Sequence, residues 1–98
     1  MTDGSPDAEF IRRHLTGVRR TVLAIVANHG PISLDDIAIE WARQHPTISP
    51  RHRFALPRMS GQVLWRLENL GWVARRGDQY LLTAEGRRVH DGIAIASE

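Results

Sequence analysis

The chain has 98 residues, with 13 basic and 11 acidic side chains and no Cys. This length fits one domain with a single apolar core, and the lack of Cys excludes disulfides and thiolate metal ligands. No apolar run approaches the roughly 18 residues that a membrane helix needs. The acidic, polar start MTDGSPDAEF is not a signal peptide, so we expect a cytoplasmic protein.

The small net charge of +2 conceals an uneven distribution along the chain. Residues 50–88 hold eight Arg and three acidic residues, whereas residues 1–49 hold five Arg and six acidic residues. A local excess of cations is the pattern expected of a chain that binds a polyanion. Every basic residue is Arg, which a GC-rich genome would explain as well as function would.

The N-terminal third predicts a helical arm followed by a main helix. Ser5, followed by proline and acidic residues, is typical of a helix start. Apolar residues then recur every three or four positions over residues 11–25, the period of one helix face. Gly17 divides this stretch, and we expect the main helix to end where Gly30 precedes a proline.

A short strand and a second helix are predicted next. Ile32 is the candidate for a one-residue strand, and Ser33 is a typical cap for the helix that follows. We expect this helix to end near His45. Its predicted inner face consists of Leu34, Ile37, Ala38 and Trp41.

The third helix is predicted to start near Pro57 and to end at Gly71, after a long connection over residues 47–55. Ser49 and the proline after it can start a separate helical turn in that connection, and Phe54 can anchor it. The predicted inward side chains are Ser60, Val63, Leu64, Leu67 and Leu70. The predicted outer side carries Arg58, Gly61, Gln62, Trp65 and Arg66.

Residues 72–75 and 79–82 are expected to pair as a hairpin, with Gly77 supplying a positive-φ turn position in the Arg-Gly-Asp tip. Thr83 is the predicted cap of a last helix, whose apolar stripe would contain Val89, Ile93 and Ile95. A helix that ends at glycine and leads into a basic hairpin is typical of a winged helix-turn-helix.

We therefore predict an α+β fold of that type, with a three-helix core, a two-stranded wing and extra terminal helices. Its expected divisions are an N-terminal arm (1–17), the winged-helix domain (18–88) and a C-terminal helix end and tail (89–98).

The segment LENLGWVARRGDQYLLTAEGRRV resembles the end of the recognition helix, the wing and the following helix in the MarR-like superfamily of transcription regulators. That superfamily has a Leu-Glu-x-x-Gly-hydrophobic stop before the wing and a Leu-Thr-x-x-Gly-Arg segment after it. The matching positions are Leu67, Glu68, Gly71, Trp72, Leu82, Thr83, Gly86 and Arg87. The resemblance implies a DNA-binding fold and, usually, a dimer on a palindromic operator.

The chain departs from this superfamily in lacking the long terminal helices that hold the dimer and the ligand pocket. Its predicted connection between the second and third helices is also longer. In that connection and in its Arg-Gly wing it is similar to the N-terminal domain of Mrr-like restriction endonucleases. No nuclease residues follow, so that resemblance implies only DNA reading.

The third helix carries the residues that we expect to read DNA. Arg pairs bidentately with guanine and Gln with adenine, and residues near the N-terminus of a recognition helix usually reach base edges. Arg58 and Gln62 are therefore the predicted base readers, and Arg66 is expected to contact phosphate. The alternative is an ordinary solvated helix face.

Four more Arg are predicted to contact DNA outside that face. Arg75 and Arg76 would enter a minor groove or contact phosphates from the wing, unless they only solubilise a hairpin tip. Arg51 and Arg53 would add backbone contacts from the connection, unless that loop is simply solvated.

Two other residues of the third helix leave alternatives open. Gly61 allows close approach either of a ligand or of the second helix. Trp65 could stack on a nucleic acid, but a large aromatic side chain on this side more often covers the wing or a partner subunit. Trp41 and Trp72 are predicted core residues.

The sequence shows no catalytic or metal-binding pattern. The histidines have no metal-ligand spacing and no clustered carboxylates; they are His14, His29, His45, His52 and His90. No nucleophile elbow and no phosphate-cradling glycine loop occurs. We expect no enzyme activity and no cofactor.

The expected partner is double-stranded DNA, bound by a small transcription regulator. A homodimer through the terminal helices is a further expectation, although these helices could instead close a monomer core. The alternative function is a protein-interaction module that does not bind DNA, which an outward Trp65 would suit.

Overall fold

The computed structural model describes residues 17–96, with side chains described as far as residue 92. The predicted helix start at Ser5 and the rest of the N-terminal arm lie outside the described residues, as do the side chains of Ile93 and Ile95. Within residues 17–96 the chain is α+β, with four helices and one three-stranded antiparallel sheet. No helix in this part of the chain is both long and apolar enough to cross a membrane.

Helix α1 (Gly17–His29) is the central helix of the core. It ends where Gly30 precedes proline, as predicted, and the Gly30 N–H donates to the carbonyl oxygen of Val26 at 2.9 Å. The fully buried side chains of this helix are Val22, Leu23, Ile25 and Val26. They pack against the second and third helices, the last helix and the sheet.

Strand β1 (Ile32–Ser33) and helix α2 (Leu34–Gln44) follow directly and confirm the predicted short strand and second helix. The Ser33 hydroxyl accepts a hydrogen bond from the Asp36 N–H at 3.2 Å, so the predicted cap is formed. Ile37, Ala38 and Trp41 are buried, and Leu34 is half-buried against them.

Helix α3 is longer than predicted, because it runs from Pro50 to Asn69 instead of starting near Pro57. Ser49 caps this helix itself, accepting from the His52 N–H at 3.1 Å, so no separate helical turn precedes it. Pro57 lacks an N–H and leaves the Arg53 carbonyl without its helical donor, a disruption of about 3 kcal/mol. The cap, at about 1 kcal/mol, and the burial of Leu56, at about 1.5–3 kcal/mol, offset that loss.

Three further predictions about this region are wrong. The connection between α2 and α3 is short, covering only residues 45–49, and Arg51 and Arg53 lie on the helix instead of in a loop. Phe54 does not anchor the segment, since its side chain is 89% exposed. The helix ends as predicted, with Gly71 at a φ of +84°.

Strands β2 (Val73–Arg76) and β3 (Gln79–Leu82) form the predicted hairpin. Arg76 pairs with Gln79 in the ladder, so the turn contains only two residues, and the first of them, Gly77, has a φ of +62°. Trp72 was expected in this strand but precedes it and is buried. The strand order is β1-β3-β2, with Ile32 opposite Tyr80.

Helix α4 (Ala84–Ala96) begins at the predicted cap, where the Thr83 hydroxyl accepts from the Gly86 N–H at 2.9 Å. Val89 is buried against the core. The inward face predicted for α3 is present, with Ser60, Leu64 and Leu67 buried. Trp41 and Trp72 are core residues, as predicted.

Candidate functional site

The outer side of α3 is an exposed helix face that carries residues singled out from the sequence. Side chains three or four positions apart share a helix face, and the spacings along this side are three, four, four and three. Five exposed residues make up this set, which we call the outer stripe: Arg51, Phe54, Arg58, Gln62 and Trp65. The stripe therefore combines two cations, one amide and two aromatic rings.

The opposite side of α3 holds the stripe in place. Leu56, Ser60, Leu64 and Leu67 are buried there, and α2 makes more extensive contact with α3 than any other described helix does. A helix of this length extends about 30 Å. Its outer stripe is thus a long surface whose orientation is fixed by the core.

Arg66 lies at the edge of the outer stripe. Its guanidinium carbon is 6.0 Å from the centre of the Trp65 ring, the outer limit of a cation–π contact. Arg66 is exposed, as are Arg58 and Gln62. The structure therefore brings together the three residues of this helix that are predicted to contact DNA. It adds Arg51 about two turns before Arg58.

Arg53 is separated from the other predicted site residues of α3. Arg53 lies seven positions, or about two helical turns, before Ser60. It is therefore on the same side of α3 as that buried serine. Here that side extends beyond the core, and Arg53 is exposed. It lines a cavity of about 340 Å³ with Ile48, Pro50 and Phe54, so Phe54 is the member of the outer stripe that it lies beside.

Arg75 and Arg76, predicted to act together, lie on opposite faces of the sheet. Side chains alternate along a strand, and Arg75 shares its face with the buried Val73 and with Tyr80, its partner across the ladder. Arg76 lies on the other face, opposite Gln79, and is exposed.

Arg75 is engaged by the hairpin itself. Its Nε–H donates to the Gly77 carbonyl oxygen at 3.0 Å, across the turn. Its guanidinium carbon is 5.9 Å from the centre of the Tyr80 ring. It also lines a cavity of about 260 Å³ together with residues that include Asp35 and Asp78. Because its guanidinium already bonds to the turn beside two acidic residues, Arg75 is the less suitable of the two hairpin cations for contacting a polyanion.

Gly61 contacts the second helix. A Cβ at this position would lie 3.9 Å from the nearest side-chain carbon of Leu34, an ordinary van der Waals distance. Of the two alternatives that the sequence left open, the structure favours packing against α2, and it leaves space for a methyl group.

The exposed aromatic rings are the feature that sequence reasoning partly missed. Trp65 is 63% exposed, so the hairpin does not cover it, and Phe54, expected to be an anchor, is almost fully exposed. The two residues are 11 positions apart, about three helical turns. Their alignment could have been predicted only by continuing the helix through Pro57.

A hydrogen-bonded ion pair lies on α2, away from the outer stripe. Glu40 accepts hydrogen bonds from Arg43 Nε, at 3.0 Å, and from the amide of Gln44, at 3.1 Å. These bonds lower the pKa of Glu40 to about 2, and the same carboxylate raises the pKa of Arg43. His29 Nε2 at the end of α1 lies 3.6 Å from Glu40, so the cluster joins two core helices.

Among residues 17–96, no group of three metal-ligating side chains is placed to hold a metal ion. Comparisons with models of known protein families, with curated proteins and with solved structures found no match to this chain. The geometry of α3 and the hairpin is therefore the basis for a functional proposal.

Proposed function

We propose that this chain binds double-stranded DNA as a winged-helix protein similar to MarR-like transcription regulators. In this proposal α3 enters the major groove, and the β2–β3 hairpin is the wing that contacts the flanking backbone or minor groove. The order of helices and strands is compatible with that fold. The segment resemblance given above supports the same assignment.

The observation that carries the proposal is the outer stripe of α3 with Arg66 at its edge. Arg58, Gln62 and Arg66 are exposed on a helix whose other side is fixed by α2. α3 contains four Arg and a single acidic residue, Glu68. Arg and Gln are the side chains that best distinguish guanine and adenine in a major groove, and the cations suit phosphate.

Titration of DNA across a range of salt concentrations tests the role of each residue. Arg58→Ala and Gln62→Ala should relax sequence preference, by about 1–3 kcal/mol per lost base contact. Arg76→Ala should weaken binding to all duplexes and reduce the salt slope by about one. Arg20→Ala, which removes one exposed charge from α1, is the matched control and should leave sequence preference intact.

The duplex for this titration has to come from selection, because the operator is unknown. A random duplex pool can be enriched on the wild-type protein and then on each variant. If the protein retains no duplex at low salt, or if base-reading and phosphate variants behave identically, the assigned roles are wrong.

A second candidate function is a protein-interaction module that does not bind DNA. The observation that favours it is the exposure of Phe54 and Trp65 on the same helix face, since aromatic side chains are enriched in protein interfaces. Partner binding that is insensitive to salt, with no mobility shift of duplex DNA, would select this function.

A further inference from the structure

We infer that the outer stripe of α3 also binds an extended single strand of nucleic acid, with unpaired bases stacked on Phe54 and Trp65. This goes beyond the proposed duplex binding and uses the same basic face. Two observations carry it: both rings are exposed, and cationic side chains alternate with them along the helix.

The exposure of the two rings is what duplex binding leaves unexplained. The Phe54 side chain is 89% exposed and the Trp65 side chain 63% exposed. In a duplex the faces of the bases are covered by neighbouring bases, and only their edges are accessible in the grooves. An aromatic ring can stack on a base only where that base is unpaired, and such stacking is largely independent of base identity.

The Arg side chains of the outer stripe favour nucleic acid over an apolar protein surface as the ligand. Arg58 and Gln62 lie between the two rings, and Arg66 lies over the edge of the stripe beside Trp65. The core of a protein interface is depleted of charged residues, whereas single-strand sites combine stacking rings with cations that follow the backbone. An alternation of rings and guanidinium groups thus fits a strand that alternates bases and phosphates.

The spacing of the rings fits a strand lying along the helix. Phe54 and Trp65 are 11 residues apart on one face, or about 16 Å along the axis. Arg58 lies between them, where it can contact phosphates that link two separately stacked bases. Arg51 extends the cationic surface past Phe54.

The test is a fluorescence titration of the full chain with oligothymidylate, oligouridylate and a mixed-sequence duplex. Trp41 and Trp72 are buried, whereas Trp65 is exposed, so base stacking should quench mainly the Trp65 emission. Both single strands should quench the wild type more strongly than the duplex does, because only unpaired bases can stack on the ring. Trp65→Phe should remove the quenching while keeping most of the affinity.

Substitution by leucine separates stacking from apolar contact. Phe54→Leu and Trp65→Leu keep an apolar side chain but remove the ring, and each should weaken single-strand binding at least about fivefold. The salt slope should not change, since no charge is removed. Ile39→Ala, at a side chain on α2 that is 64% exposed, is the matched control and should leave affinity unchanged. Thermal unfolding of each variant checks that the fold is retained.

Several results would overturn this inference, and the titrations distinguish them from a failure of the proposed duplex binding. Duplex binding without single-strand binding would leave the proposed function and reject this inference. Single-strand binding that the leucine variants retain would reject stacking. If the chain binds no nucleic acid and instead self-associates through Phe54 and Trp65, as shown by sedimentation of the same variants, both proposals fail.

Discussion

Thr83 and Gly71 are joined by a hydrogen bond across the base of the hairpin. The Thr83 hydroxyl donates to the Gly71 carbonyl oxygen at 2.6 Å while accepting from the first turn of α4. One side chain therefore links the end of α3, the exit from β3 and the start of α4. The segment Leu-Thr-x-x-Gly-Arg has a structural reason to contain threonine at this position.

Thr83→Ala should lower the free energy of unfolding by about 1–2 kcal/mol, because it removes both the helix cap and the bond to Gly71. Thr83→Ser keeps a hydroxyl in the same position and should lose much less. Urea unfolding of the three proteins measures the difference. Equal loss in the alanine and serine variants would contradict the role given to the hydroxyl.

Two helical glycines should respond to alanine in opposite ways. A Cβ at Gly86 would lie 1.8 Å from the Trp72 carbonyl oxygen, so Gly86→Ala must displace backbone and should destabilise the fold by about 3 kcal/mol or more. A Cβ at Gly61 meets only ordinary contacts, so Gly61→Ala should stabilise α3 by up to about 1 kcal/mol. Thermal unfolding of both variants tests the pair, and the same sign of change in both would contradict this account.

The local signals in the sequence predicted most helix ends, because each depends on one or two neighbouring residues. Ser33, Thr83 and Gly71 act as caps and a stop through bonds within one turn, and such bonds leave a clear pattern in the sequence.

The continuation of α3 through Pro57 could not be predicted in this way, because it depends on a tertiary contact. Pro57 is a strong local signal for a helix start. It is overridden by burial of Leu56, one residue earlier, in a core built from distant segments. The same error placed Arg51 and Arg53 in a loop and hid the alignment of Phe54 with Trp65.

The sequence indicated which residues belong to the candidate site, but it did not predict how all of them are arranged. Arg58, Gln62 and Arg66 share the exposed side of α3 that helical periodicity predicts. Arg75 and Arg76 were treated as one unit although a strand places neighbours on opposite faces. The bond from Arg75 to Gly77 depends on the conformation of the turn, which composition alone does not determine.

Ser60 is a buried polar residue whose replacement should stabilise the protein. It is fully buried, and its hydroxyl has no hydrogen-bond partner among the described residues. A buried unsatisfied polar group costs about 1–3 kcal/mol, so Ser60→Ala should raise the free energy of unfolding by about 1 kcal/mol. Ser60→Val, which adds volume in a close-packed site, is expected to be destabilising. A loss of stability in the alanine variant would show that the hydroxyl has a partner.

Glu40 should make stability depend on acid pH. Its folded-state pKa of about 2 lies below its ordinary value of 4.5, so the folded state favours the ionised form. The stabilisation is therefore complete above about pH 4.5 and is lost as the pH falls toward 2. Glu40→Gln should remove it, so the difference in unfolding free energy between wild type and variant should shrink over that window.

The control for this pH series is Glu68→Gln, since the Glu68 side chain makes no hydrogen bond within the described residues. If the difference in unfolding free energy between wild type and Glu40→Gln stayed constant from pH 4.5 to 2, the hydrogen bonds from Arg43 and Gln44 would not be the cause of the low pKa.

Arg75 and Arg76 should have separable effects if the β2–β3 hairpin contacts DNA. Arg75→Ala removes the bond to Gly77 and the contact with Tyr80, so it should increase hydrogen exchange at the turn and shift the Tyr80 ring resonances. Arg76→Ala should change neither signal, but it should weaken binding to every duplex and reduce the salt slope. Arg75→Lys keeps the charge without the planar guanidinium. We expect the lysine variant to show the same increased hydrogen exchange at the turn as the alanine variant. If lysine instead restored both the protection from exchange and the affinity for duplex DNA, only the charge of Arg75 would matter.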